Sequence, residues 1–241
     1  MARFFLPPAA WQSTAQLEED ESRHCAQVLR LSAGDEITVF DGCGRSARAS
    51  IRQVSKHAVS LEMGEVTRTL APSPAIILAQ AVPKGKTIEW IIEKAVELGV
   101  SQIIPLVTRH TIVKYDAQEA IKKAEKWQKV ALEACKQCGQ NWLPQVLPPI
   151  DGRTFLESPR EGAKIIASLA PGALPLKQLI AESTTATQVT VMIGPEGDFS
   201  TEETQLALHA GYRPATLGSL VLRSETAALY AMASLRCQLS C

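Results

Sequence analysis

The stretch Ile193-Gly194-Pro195-Glu196-Gly197-Asp198-Phe199-Ser200 decides how this chain reads. It follows an apolar run with strand-like alternation, Val189, Val191 and Ile193, and it precedes a helix start. A loop with two glycines and a proline at the end of a buried strand lets backbone groups come close to a ligand and leaves the Glu196 carboxylate facing it. Glycine and proline also mark ordinary strand-to-helix turns. A second segment shifts the balance toward a binding site. Leu217-Gly218-Ser219-Leu220-Val221-Leu222-Arg223-Ser224-Glu225-Thr226-Ala227 again passes from a glycine through charged residues into a helix. Two such loops on one sheet edge suggest a site.

Outward from these loops, strands and helices alternate, the pattern of a largely parallel sheet covered on both faces. Strands are expected at Ala75–Val82, Gln102–Val107, Ala163–Leu169 and Val189–Ile193. Helices are expected at Thr87–Leu98, stopped by Gly99, at Ala117–Cys138, stopped by Gly139, and from Glu225 to Leu239. Ser200-Thr201-Glu202-Glu203 has capping-box spacing, so another helix should start there. Thr69-Leu70-Ala71-Pro72-Ser73-Pro74 is a proline-rich connector, dividing the chain into domains of residues 1–70 and 75–241. Before it, strands predominate: Phe4-Phe5, Glu36–Phe40, Ser46–Val54 and Ala58–Met63, with one helix around Ser22–Leu31. That half reads as a small β-barrel.

The chain has 241 residues, a formal net charge of +0 and 46% hydrophobic residues, enough for properly buried cores. The longest apolar run, Ala75–Val82, is far too short to span a bilayer, and Pro7 and Pro8 interrupt any signal-like start, so a cytoplasmic protein without a membrane partner is expected. Six cysteines, irregularly placed, suit reduced thiols rather than a disulfide framework. Cys135-x-x-Cys138 has metal or redox spacing but lies late in a helical pattern without a second pair, so no metal is expected. Charge is uneven. Arg45, Arg48, Arg52 and Lys56 lie in a stretch without acids, and cations outnumber acids between Arg109 and Gln140. Each patch reads as a solvated face or as a phosphate contact. The dinucleotide Gly-x-Gly-x-x-Gly turn is absent, and Pro83-Lys84-Gly85-Lys86 lacks Walker spacing, so neither NAD nor ATP is indicated.

Lys84, Lys94-x-x-Glu97-Leu98-Gly99-Val100, Glu133-Ala134-x-x-Gln137-Cys138 and the two glycine loops, taken with Arg3-Phe4-Phe5, His24, Val28-Leu29-Arg30 and Gly34-Asp35, closely resemble the RsmE family. These are bacterial small-subunit rRNA methyltransferases of the SPOUT superfamily that methylate N3 of a uridine. The resemblance implies an α/β fold in which an N-terminal PUA-like β-barrel, an RNA-binding domain, precedes a SPOUT domain with a trefoil knot. It also implies S-adenosyl-L-methionine as cofactor, 16S rRNA or the small subunit as partner, and a homodimer. In the family the last helix packs against its twin, here through Leu229, Met232, Ala233 and Leu235. Three positions depart from the family pattern: Gln140 and Leu220 stand where arginines are usual, and Asp198 where a second glycine is usual.

The implied chemistry assigns roles. Uridine N3 must lose a proton to become nucleophilic, which calls for a general base or a cation at the flanking carbonyl oxygens. Arg223 is the cation, and Glu196 and Glu225 are the candidate carboxylates. An ion pair of Arg223 with Glu225 is the structural alternative. Leu169, Ile193, Gly194, Pro195, Gly197, Leu217, Gly218, Leu222, Thr226 and Ala227 are the expected cofactor contacts. Arg3, Arg30, Arg45, Arg48, Arg52, Lys56, Lys84 and Arg109 are the expected RNA contacts, while His57, His110 and His209 read as surface. Two other functions stay open: a SPOUT enzyme acting on tRNA or at ribose 2′-O, and a non-catalytic RNA-binding assembly factor.

Overall fold

A computed structural model describes residues 1–55 and 57–239. The chain forms two compact units, Met1–Ala71 with Cys135–Leu143, and Pro72–Ala134 with the residues from Pro144 onward.

The first unit is built on strands β1 (Arg3–Phe5), β2 (Thr14–Gln16), β3 (Glu36–Phe40), β4 (Arg45–Val54) and β5 (Val59–Arg68), in the order β1-β3-β4-β5-β2. β1 runs parallel to β3 and the other pairs are antiparallel. Period-two alternation buries Ile37 and Val39, Ala47, Ala49 and Ile51, and Val59 and Leu61 in one core with Phe4, Leu6 and Leu17. The expected helix around Ser22–Leu31 is instead the short α1 (Glu19–Arg23) followed by a π-type turn over His24–Val28, where the Leu29 N–H reaches the His24 carbonyl at 3.0 Å. β2 has a single buried side chain, Ala15, too little alternation to read from sequence. The segment Cys135–Leu143 completes this unit. The Arg3 guanidinium donates to Asn141 Oδ1 at 2.8 Å and to the Gln140 carbonyl at 3.3 Å, and Trp142 Nε1 donates to the Thr69 carbonyl at 3.1 Å. Gly44, at φ +93°, leaves room for the Trp142 ring, which lies 2.7 Å from where a Cβ would stand.

The second unit runs β6 (Ala75–Ala81), α2 (Thr87–Glu97), β7 (Gln102–Val107), α3 (Ala117–Cys138), β8 (Gln145–Val146), β9 (Ile150–Asp151), α4 (Gly152–Glu157), β10 (Ala163–Ala167), β11 (Leu174–Pro175), α5 (Leu176–Ala181), β12 (Gln188–Ile193), α6 (Thr201–His209), β13 (Arg213–Thr216) and α7 (Ser224–Leu239). Every strand pairing is parallel, in the order β11-β13-β10-β12-β6-β7-β8, with β9 also on β7. The central strands β6, β7 and β12 are buried on both faces, as parallel sheets require. Ile77, Ala79, Ile166 and Met192 pack with Phe155 and Leu156 of α4, Ala207 of α6 and Tyr212. Helix α7 packs on β6 and β12 and against α2 and α5. The capping box at Ser200 is present: Ser200 Oγ accepts from Glu203 N at 3.2 Å, and Glu203 Oε2 accepts from Ser200 N at 2.9 Å. β8, β9, β11, β13, α4 and α5 carried no readable period because each is only two to six residues long.

One expectation is corrected. Met232 and Leu235 are wholly buried within their own chain, so these two serve its own sheet and helices, whereas Leu229 is half-buried and Ala233 is exposed. Met232→Ala should therefore lower unfolding free energy by about 2–5 kcal/mol, the range for emptying a methionine-sized core site. Urea denaturation checks this, and unchanged stability with a changed molecular mass would overturn it.

Candidate functional site

Three loops that leave the carboxyl ends of neighbouring strands β10, β12 and β13 enclose a cavity of about 260 Å³. In open α/β sheets this edge is where ligands bind, because helix starts and free backbone groups converge there. Ala167, Ser168 and Leu169 come from the first loop, Ile193, Gly194, Pro195, Glu196 and Asp198 from the second, and Leu217, Gly218 and Leu220–Ala227 supply the third wall except Glu225 and Thr226.

The structure thus brings together Arg223 and Glu196 and eight of the expected cofactor contacts, Leu169, Ile193, Gly194, Pro195, Leu217, Gly218, Leu222 and Ala227. Gly197, Thr226 and Glu225 do not line the cavity. Ala167, Ser168, Asp198, Leu220, Val221 and Ser224 line it without having been singled out as cofactor contacts. The signal for Ser168 and Ala167 was their place beside Leu169 at the end of an expected strand. For Ser224 it was a small hydroxyl residue at a helix start.

Internal bonds hold the walls. Gln80, wholly buried on β6, donates from Nε2 to Ser224 Oγ at 2.9 Å and to the Ala81 carbonyl at 2.9 Å. Ser224 Oγ in turn donates to the Gly194 carbonyl at 2.6 Å, since a carbonyl can only accept. The Arg223 carbonyl accepts the Ala227 N–H at 2.8 Å, so Arg223 sits immediately before the first turn of α7. Its guanidinium is exposed and has no ion-pair partner among the described residues, which removes the Glu225 pairing as its role. Glu196 is exposed, and its Oε1 accepts the Lys84 N–H at 3.2 Å.

The two glycines of the loop after β12 act differently from the sequence expectation. A Cβ on Gly197 would stand 3.4 Å from Cβ, Cγ and Nδ1 of His110, so its open side receives an imidazole. A Cβ on Gly194 would stand 3.0 Å from Asp198 Oδ1, so its open side receives a carboxylate. His110 is exposed as expected, yet Nδ1 donates to the Asp198 carbonyl at 2.9 Å. The acceptor is a carbonyl, which fixes the proton on Nδ1.

The expected RNA contacts separate into engaged and free groups. Arg3 is held against Phe40 and Asn141. Arg45 pairs with Asp41 at 2.6 Å and stacks over Trp11, and Arg52 pairs with Glu62 across β4 and β5. Arg30, at φ +53°, and Arg48, Lys84 and Arg109 are exposed, with no side-chain ion pair among the described residues. Lys56 lies outside the described residues. Cys135 is buried and its thiol is pushed up to about 12, chiefly by burial, so it stays protonated at neutral pH. No group of three or more metal-ligating side chains occurs among the described residues, and none of their helices is long and apolar enough to cross a membrane.

Residues 71–236 match the family model of an RNA methyltransferase domain, and residues 17–63 match that of an RNA methyltransferase PUA domain. Ribosomal RNA small subunit methyltransferase E of Synechocystis sp. is 32% identical over 95% of this chain and 75% of its own length. A solved methyltransferase of Legionella pneumophila in complex with the bound cofactor SAM superposes with a TM-score of 0.90 at 34% identity, covering 98% of this chain and 97% of that one. Ribosomal RNA small subunit methyltransferase E of Neisseria gonorrhoeae, solved bound to S-adenosyl methionine, gives 0.88 at 34% identity with the same coverage.

Ser224→Ala should remove the partner of the Gly194 carbonyl and one of the two acceptors of the Gln80 amide, and lower stability by about 1–3 kcal/mol, the desolvation cost of an orphaned polar group. Combined with Gln80→Leu, the two losses should fall short of additivity by at least about 0.5 kcal/mol, as for residues sharing one bond. Strict additivity in guanidinium unfolding would show that the bridge carries nothing.

Proposed function

Given that the chain belongs to the RNA methyltransferase family typified by ribosomal RNA small subunit methyltransferase E, we propose that it methylates N3 of a uridine in 16S rRNA, using S-adenosyl-L-methionine. The observation that carries this reading is the shared cavity of Arg223 and Glu196, with the guanidinium left without an ion pair among the described residues. The cavity chemistry fits the cofactor: Leu169, Ile193, Leu222 and Ala227 offer apolar walls for an adenosine, and Asp198 offers a negative charge for a cationic donor. When bound, S-adenosyl-L-methionine supplies an electrophilic methyl group on a sulfonium.

The residues of the chain then have two tasks. One is alignment, which the rigid loop ends perform by holding the partners at attack distance. The other is charge. Arg223 stabilises the negative charge that spreads onto the uridine carbonyl oxygens as N3 loses its proton. Glu196, which lines the same cavity, is the better placed proton acceptor, and Glu225 stands outside the wall. The reading extends to a cytoplasmic enzyme, to a knotted passage of the C-terminal segment and to a homodimer. Exposed Leu169, Leu220 and Val221, at 64%, 75% and 77%, supply an apolar rim at the cavity mouth that suits a second copy.

Arg223→Lys keeps the charge but loses the planar fork, so the single-turnover methylation rate on small subunits should fall while cofactor affinity holds. Raising the pH should restore part of that rate, because more uridine then ionises unaided. A rate deficit that stays constant from neutral to alkaline pH would assign Arg223 a structural role. Mass mapping of the modified base separates N3 from ribose methylation.

RNA affinity should divide along the engaged and free cations. Arg48→Ala should weaken rRNA binding and reduce the magnitude of the log–log salt slope by roughly one unit, the share of one phosphate contact. Arg45→Ala should act mainly on stability, through Asp41 and Trp11. An unchanged salt slope for Arg48→Ala returns that residue to a solvated face.

A further inference from the structure

Asp198 is where the internal ties of the cofactor loop converge. Its backbone is left-handed, at φ +58°, a region that side chains other than glycine enter at a cost. Three contacts hold it there. The Asp198 N–H donates to the Pro195 carbonyl at 3.0 Å, its carbonyl accepts from His110 Nδ1 at 2.9 Å, and Oδ1 accepts the Phe199 N–H at 2.8 Å. Gly194 makes room for this arrangement, since a Cβ there would stand 3.0 Å from Asp198 Oδ1. The second carboxylate oxygen has no hydrogen-bond partner among the described residues, and Asp198 lines the cavity. A strained backbone kept in place by this many contacts, with a carboxylate at a ligand cavity, is the mark of a functional constraint.

The cavity wall has three charged side chains, Glu196, Asp198 and Arg223, so it carries one more negative charge than positive. The methyl donor and its product differ by one charge. S-adenosyl-L-methionine has a sulfonium, and S-adenosylhomocysteine has a neutral thioether with the same adenosine and amino-acid ends. We propose that Asp198 is a specificity-determining residue that makes the cavity favour the cationic donor over the neutral product, and so eases product release. The inference rests on the methyl-donor reading above and deepens it. Shape and hydrogen bonds treat the two ligands nearly alike, so discrimination between them has to come from a charge.

Calorimetric titration of the purified full chain with each of the two ligands tests this. Asp198→Asn keeps the size and the Oδ1 acceptor for Phe199 but removes the charge. It should weaken donor binding about tenfold and product binding no more than about twofold, since only the donor has a sulfonium whose coulombic attraction to the carboxylate is lost. Asp198→Gly suits the positive φ, so it should stay folded and give the same loss of selectivity. A selectivity ratio unchanged in both variants overturns the inference. Equal losses for the two ligands also overturn it, since Asp198 would then only shape the loop. If the unaltered chain binds neither ligand, the methyl-donor reading itself falls, and this inference with it.

Discussion

The hydroxyl of Ser224 holds the functional edge of the second unit together. It accepts a hydrogen bond from the Gln80 amide and donates one to the Gly194 carbonyl, and the three residues lie on β6, on α7 and in the loop after β12. Gln80 is a buried polar side chain one residue from the end of an otherwise apolar strand, a placement that is unfavourable without partners. Its Nε2 reaches Ser224 only because α7 begins where it does. Arg223 precedes Ser224 by one residue and Gly194 follows the last residue of β12, so the cation and the opposite wall are positioned by one chain of two bonds.

A second set of ties joins the loop after β7 to the loop after β12. Glu203 caps α6 with one oxygen and accepts the Arg109 N–H with the other, at 2.8 Å, while His110 reaches the Asp198 carbonyl. One carboxylate thus does the work of helix start and loop anchor together. The absence of a side chain at Gly194 serves these ties. Gly194 both lines the cavity and leaves room for the Asp198 carboxylate, whereas Gly197 lies outside the lining with His110 beside it.

Periodicity and punctuation were enough to read most of this architecture. Ala117–Cys138 was legible to the residue because Gly139 stops a long amphipathic pattern, and the capping box at Ser200 was legible because its chemistry is local. The cavity was legible in its two glycine loops. Tertiary partners were not: the role of His110 depends on a loop some ninety residues away in sequence, and that of Gln80 on a helix farther still. The same limit governs the cations. Arg3, Arg45 and Arg52 look like Arg48 in a sequence, and only the fold shows that Asn141, Asp41 and Glu62 occupy them.

The first unit has a consequence for biosynthesis. Its sheet is complete in sequence by Arg68, but Gly44, Arg3 and Thr69 find their partners in Asn141 and Trp142. A ribosome must therefore pass from Ala71 to Leu143 before this unit can close, a delay of several seconds at about 5–20 residues per second. Through that interval the nascent sheet keeps an uncovered seat for the Trp142 ring. The chain that emerges meanwhile contains β6 and β7, whose apolar strands have no finished sheet to join until β12 is made.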